Sequence, residues 1–327
     1  MSEALMEHAT QTIELGSKSF ATAARLFDPD TRRGVLMLYA WCRHCDDVVD
    51  GQELGFASNA PSGHDAERQL ALLREQTRRA CAGEAMHDPA FAAFQEVALK
   101  HAIEPRYAMD HLAGFAMDVE GARYETIEDT LRYCYHVAGV VGLMMASIMG
   151  ARDPQVLDRA CDLGLAFQLT NIARDIVDDA RIGRCYLPAS WLREAGIPPE
   201  EVALPRHRAA LAAVAARLVD YAEPYYDSAG VGLSALPLRS SWAIASARLV
   251  YRQIGIEVKR RGARAWDERA GTSKLTKLGL LLRGGLDALG SRLNSRIRTT
   301  TAPRPAGLWQ RPGGGAGGLH GAPVTAA

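Results

Sequence analysis

Net charge, strand signals and long apolar runs are what this sequence has least of. Its 38 Lys and Arg are cancelled by 38 Asp and Glu, so bulk electrostatics give no reason to expect a nucleic-acid partner. The longest apolar run, 137–149, is broken by Gly139 and Gly142 and falls short of the ~18–20 residues that cross a bilayer. Period-two runs of β-branched and aromatic residues are scarce, which argues against a sheet protein. A second Cys-x-x-Cys is missing as well. Cys42 and Cys45 sit alone inside a helical pattern, which favours buried thiols over zinc or redox chemistry. The other cysteines (Cys81, Cys134, Cys161, Cys185) also lie in apolar or helical contexts. The first sixteen residues carry Glu3 and Glu7 and no apolar core, so no signal peptide and a reducing cytoplasm are expected.

Helical periodicity is what fills the chain. It marks 31–50, 66–82, 89–101, 107–117, 127–149, 156–179, 200–229 and 236–261, and the fold class expected is all-α. Asp28-Pro29-Asp30-Thr31, and Thr126 followed by Asp129, read as helix starts. Two stretches read as loops, 51–63 and 183–199, both rich in Gly, Pro, Ser or Asn. With 48% apolar and 23% charged residues, the composition is that of a globular protein. The expected organisation is one helical domain over 1–298 and a Gly/Pro-rich tail over 299–327, whose composition predicts disorder. Within 259–298, eleven Lys or Arg face three acids, Asp267, Glu268 and Asp287. The leucine-rich stretch 275–293, with Lys277, Arg283 and Arg292, is a candidate for contact with the cytoplasmic membrane surface, weighed against a final core helix with a solvated basic edge.

Two acidic runs of one shape carry the chemistry. Asp46-Asp47-Val48-Val49-Asp50 and Asp175-Ile176-Val177-Asp178-Asp179 each put carboxylates at i and i+4, about ~5–6 Å apart on one helical face, where like charges repel. Each run closes a long helix, at the negative end of its dipole, so an uncompensated pair is costlier still. A divalent cation between two helices would relieve both. Gln168, Asn171, Asp175 and Asp179 share one face, and Tyr39, Arg43, Asp46 and Asp50 share another. Oxygen donors of this kind suit magnesium, with manganese as the alternative, and leave coordination sites for a diphosphate. Arg174 stands at the rim, able to fork onto phosphate oxygens. Asp47 and Asp178 fall off the shared faces, and their loss is expected to matter less.

Four motifs in order, Ser17-Lys18-Ser19-Phe20, Tyr39-Ala40-Trp41-Cys42-Arg43 with the first acidic run, Tyr133-Cys134-Tyr135-His136-Val137-Ala138-Gly139, and the stretch from Gln168 to Asp179, resemble the squalene and phytoene synthase family over about 16–277. The resemblance implies an isoprenoid-synthase helical bundle whose central cavity binds two prenyl diphosphates. It implies metal-bridged diphosphate at Asp46, Asp50, Asn171, Asp175 and Asp179. Ser17, Ser19, Tyr39, Arg43, Gln168 and Arg174 would bind diphosphate or support its ligands, and Tyr251 and Arg269 match more distal diphosphate-binding positions. An apparent insertion at 259–264 makes Arg269 the loosest match. Tyr133 resembles the tyrosine that the family places beside the carbocation, where a ring face stabilises positive charge; a plain core tyrosine is the alternative. His136 reads more readily as a satisfied core histidine than as a proton acceptor.

By the same resemblance the reaction is head-to-head condensation through a cyclopropyl diphosphate. Ala24, one turn from Phe20, and the small Ala21 and Ala23 leave that end of the cavity unplugged. This favours two geranylgeranyl diphosphates giving phytoene, the first committed step of carotenoid biosynthesis, over farnesyl diphosphate giving squalene or dehydrosqualene. No glycine-rich dinucleotide fingerprint follows a strand, and no nicotinamide is expected. A catalytically inactive, membrane-associated assembly protein of the same fold is the alternative of a different class; its mark would be eroded acidic runs, and both runs are intact.

Overall fold

The computed structural model describes residues 2–16, 22–53, 56–57, 63–297 and 302–314. Ser17, Ser19, Phe20, Ala21 and much of the 51–63 loop lie outside the described residues, as do 298–301 and 315–327. Twelve α-helices are described: α1 Ser2–Gly16, α2 Pro29–Asp50, α3 Gly63–Cys81, α4 Pro89–Lys100, α5 Pro105–Val119, α6 Ile127–Cys134, α7 Val140–Ile148, α8 Pro154–Arg181, α9 Ala189–Glu194, α10 Arg208–Gly232, α11 Leu238–Arg261 and α12 Lys274–Ile297. The fold is all-α. A two-residue antiparallel pair, β1 Gln52–Glu53 with β2 Phe56–Ala57, is the only sheet among the described residues.

Helix starts follow the side-chain chemistry of their caps. Asp28 accepts from the backbone N–H groups of Asp30 and Thr31. Asp88 and Asp153 do the same ahead of Pro89 and Pro154. Thr126 and Asp129 close a reciprocal capping box. The helix expected over 200–229 begins later, at Arg208. Pro205 lacks an N–H and keeps Leu204 extended at φ −73° and ψ 135°, so 199–207 form short 3-10 turns instead.

Helix α8 is the central post. It packs against α10, α7 and α11, while α2 packs on α1 and α4. Helices α6 and α7 are joined without a break by a π turn, Tyr135–Gly139. The resulting span Ile127–Ile148 is long and apolar enough to cross a membrane, unlike the shorter run seen in sequence, but 67% of its most apolar window is buried inside the bundle. Its apolarity is that of a core helix. At the α7–α8 crossing, a Cβ on Gly142 would stand 2.3 Å from the Ala160 carbonyl, and one on Gly164 2.3 Å from the Ala138 carbonyl. Only glycine lets the two backbones come this close.

The tail departs from the sequence expectation of disorder over 302–314. There Arg304 forks onto the fully buried carboxylate of Asp162 at 2.9 and 2.6 Å. Arg311 reaches Asp158 at 2.6 Å. The Trp309 N–H donates to the Tyr225 hydroxyl at 3.1 Å, and Leu308 is buried. Two arginines paired with two buried acids, together with an apolar anchor, order a segment that composition alone describes as Gly/Pro-rich.

Candidate active site

On α2 the last three turns set Tyr39, Arg43 and Asp46 in line. The helix stops at Asp50, whose side chain is outside the described residues, and Gly51 caps it at φ 61°. Arg43 lies 3.0 Å from Asp46 and 2.7 Å from Asp47. Asp47, which the shared face leaves aside, is therefore the nearer partner of Arg43. The Tyr39 hydroxyl is pushed up to about 12, chiefly by burial; Arg43 pulls it down while Tyr251 and Asp46 add to the rise.

On α8 the Asn171 amide N–H donates to the Gln168 side-chain oxygen at 3.3 Å. The Asn171 Oδ1 is buried with no hydrogen-bond partner. One turn on, Asp175 accepts from Arg174 Nε at 2.8 Å and from Arg269 Nε and Nη2 at 3.0 and 2.9 Å. Burial works to raise the Asp175 carboxyl, but the two guanidiniums outweigh it and hold it below the usual range. Asp179 has no such partner strong enough: burial, then the Asp175 charge, push it up to about 7. The 3-10 turn Gly262–Arg264 after α11 turns the chain back so that Arg269 reaches Asp175, in spite of the apparent insertion.

The donor set fits a hard divalent cation. An orphaned buried amide oxygen and a carboxylate raised by burial and by its neighbour's charge are both oxygen donors that a cation would satisfy. Among the described residues, however, no three acidic, His or Cys side chains converge as an all-protein metal cage. Tyr251 lines the cavity together with Gln168 and Asn171, and Tyr39 lies within electrostatic reach of Tyr251.

Beside these residues an apolar cavity of about 280 Å³ runs along α8. Gln168 and Asn171 line one end. Val137, Val141, Met145, Leu163 and Phe167 line its middle, and Arg159, Val156, Met149 and Leu236 line the other end. Phe167 stacks on Tyr251 at 4.2 Å. Ala24 is buried in the core, and Ala23 borders a small pocket beside Tyr251.

A family model described as squalene/phytoene synthase matches residues 13–277. The chain belongs to the squalene/phytoene synthase family. A phytoene synthase of Pseudescherichia vulneris is 65% identical over 308 residues, 94% of this chain and 98% of the relative. A 15-cis-phytoene synthase of Pantoea ananas is 63% identical over the same shares. Among solved structures, a ligand-bound dehydrosqualene synthase superposes with a TM-score of 0.78 at 26% identity, over 90% of this chain and 98% of that one. The fold is therefore the family's helical bundle.

Tyr133 lies in a tyrosine cluster rather than on the wall of the apolar cavity. Its hydroxyl donates to Asp118 at 3.1 Å, the Tyr186 hydroxyl donates to the other Asp118 oxygen at 2.9 Å, and the two rings stack at 4.4 Å. Tyr124 meets Tyr133 edge-on at 5.5 Å. Burial, then the Asp118 charge, push the Tyr133 hydroxyl far up, which keeps it a neutral donor. The cluster borders a cleft of about 850 Å³ whose lining includes Arg123, Arg184 and Arg193, next to the second acidic run. Asp118, Tyr124 and Tyr186 were not legible as site residues, since each is a single residue outside any charge pattern. His136 is tied through Nδ1 to the Asp110 carbonyl at 2.8 Å, as a satisfied core histidine would be.

Proposed function

We propose that this chain is a phytoene synthase, condensing two geranylgeranyl diphosphates head to head. One observation carries the reading: a single helix, α8, presents an apolar cavity wall and, further along the same face, an orphaned amide oxygen and two carboxylates. A greasy chain and its diphosphate are thereby received in register. The names of the relatives at 63–65% identity support geranylgeranyl over farnesyl substrates.

A divalent cation, magnesium or manganese, held by Asp46, Asp50, Asn171, Asp175 and Asp179 would supply the positive charge that draws diphosphate away. Arg43, Arg174 and Arg269, with Ser17, Ser19, Tyr39, Gln168 and Tyr251, hold the diphosphate oxygens or the residues that do. Loss of diphosphate from one substrate breaks its C–O bond and leaves an allylic cation. The double bond of the second chain attacks it, and loss of a proton closes the cyclopropyl diphosphate. A second C–O cleavage releases the second diphosphate, and rearrangement followed by loss of another proton gives phytoene. The cavity walls keep water from the cations. Tyr133, held in the tyrosine cluster by Asp118 and Tyr186, stands outside the lining of this cavity, which favours the plain core tyrosine.

The basic, leucine-rich α12 is proposed to rest on an anionic membrane surface, where greasy substrate and product partition. The decisive experiment incubates purified protein with geranylgeranyl diphosphate, with and without Mg²⁺, and identifies the hydrocarbon by mass. Phytoene formed only with metal is expected. Turnover of farnesyl diphosphate alone, or turnover indifferent to chelation, would overturn the reading.

A further inference from the structure

The wall of the apolar cavity is lowest along α11. Ile244, Ala247 and Tyr251 line the cavity, while Ser246, Ala247, Val250 and Tyr251 line a small pocket completed by Lys277 and Leu281 of α12. Ala247 and Tyr251 are thus the common edge of the two spaces. The Tyr251 ring is stacked on Phe167 at 4.2 Å, which leaves the Ala247 methyl as the smaller barrier. The part of α12 over this edge is also its least anchored part. From Lys274 to Arg283 no residue is buried, and a Cβ added at Gly279 would have nothing within 4 Å. Anchoring begins further along. Trp242 donates to the Leu281 carbonyl at 2.7 Å, a Cβ on Gly284 would stand 2.4 Å from the Ser246 hydroxyl, Ala288 is buried, and Arg292 donates to the Leu236 carbonyl. A helix end with few buried contacts opens at lower cost than one packed throughout.

We infer that the hydrocarbon product leaves the cavity over Ala247, between α11 and the first two turns of α12, into the lipid surface that α12 meets. The inference rests on the phytoene and membrane-contact readings above. Substrate and product call for different doors. The diphosphates belong at the end marked by Gln168 and Asn171, beside the charged Arg174, Asp175 and Arg269. A product that has lost both diphosphates has no polar group to bind there, and leaving past those charges would expose its apolar surface to water. The opposite end is walled by Met149, Leu233 and Leu236, all buried. The Ala247 edge instead lies beside Lys277 and Leu281, whose chain neighbours Leu278 and Leu282 are 57% and 63% exposed. Helix α12 carries five Lys or Arg against the single acid Asp287. That combination suits an anionic lipid surface, into which a hydrocarbon passes without crossing water.

The test follows a single turnover and the steady state in the full chain, in Leu281→Trp and in Val250→Phe. Both positions line the outer pocket and not the cavity. Geranylgeranyl diphosphate and Mg²⁺ are supplied with phosphatidylglycerol vesicles. In both variants the first turnover is expected at the full chain's rate, with diphosphate released. Steady-state turnover is expected to fall roughly tenfold or more, because product release then limits it. The hydrocarbon is expected to co-elute with the variant protein instead of floating with the vesicles. Unchanged steady-state turnover in the folded variants overturns the inference. So does an equal fall in the single-turnover rate, which would assign these positions to substrate binding. If one variant does not fold, the other decides alone. Hydrocarbon that the full chain makes but does not pass to vesicles would overturn the membrane contact and this route with it. No hydrocarbon from the full chain would instead count against the phytoene reading itself.

Discussion

His111 shows how a single buried side chain writes itself into the pH response of the whole protein. It sits between Trp41, at 5.5 Å, and Phe115, at 5.0 Å, and its Nδ1 bonds the His136 carbonyl at 3.1 Å. Burial pulls its pKa down to about 4, with the His136 carbonyl opposing. The unfolded chain, titrating near ~6.5, binds more protons at this site than the folded one between the two values. Stability is therefore intact above ~6.5 and is lost as pH falls toward 4, by up to about 3 kcal/mol at ~1.36 kcal/mol per unit. Urea unfolding of His111→Gln is expected to flatten that slope; an unchanged slope would assign it elsewhere. Nothing in the sequence marked His111, because a histidine's pKa is set by neighbours that only the fold supplies. The acidic runs were legible for the opposite reason: Asp175 and Asp179 repel within one helix, whatever surrounds it. Their partners were less so. Arg269 reaches Asp175 from 94 positions away, a distance that no local pattern encodes.

At the scale of elements, periodicity located the long helices well, and proline and capping residues explain their ends. The short α9 gave no periodic signal to read. Two elements carry predictions. The α7–α8 crossing tolerates no side chain at Gly164, where a Cβ would lie 2.3 Å from the Ala138 oxygen. Gly164→Ala is expected to lower stability by about 1–3 kcal/mol and to disturb the cavity it lines. Gly290→Ala, in α12 with nothing within 4 Å, is expected to be neutral or stabilising by about 0.5–1 kcal/mol. Thermal unfolding of the two proteins checks the contrast. Helix α12 itself packs inward through Ala288, which is buried, and through Trp242, whose indole donates to the Leu281 carbonyl at 2.7 Å. Outward it shows Leu275, Leu278, Leu282, Leu286, Leu289 and Leu293, each 52–83% exposed. A leucine stripe flanked by Lys and Arg, poor in acids, suits anionic lipid better than a like-charged copy of itself. Replacing Leu278, Leu282 and Leu289 with Ser is expected to abolish flotation with phosphatidylglycerol vesicles. Unchanged flotation would discard the membrane proposal for this face.

For the whole molecule, the fold class was legible because helical periodicity recurs almost without interruption. The bundle's closure was not. Composition described 299–327 as a tail, whereas 302–314 supplies the arginines that neutralise Asp158 and Asp162 on the central helix. A low-complexity stretch hides such a role, since two arginines among glycines and prolines acquire meaning only opposite the acids they meet.

That closure also imposes an order of events on synthesis. Asp162 lies 142 positions before Arg304 and Asp158 lies 153 before Arg311. At ~5–20 residues per second, the central helix leaves the ribosome on the order of ten seconds before its counter-charges exist. Until they arrive, Asp162 has the Ser228 hydroxyl but not its guanidinium fork, and Asp158 lacks Arg311, so α8 packs without two of its ion pairs. A ribosome stalled before Arg304 would therefore hold a chain whose central helix still lacks both guanidinium partners.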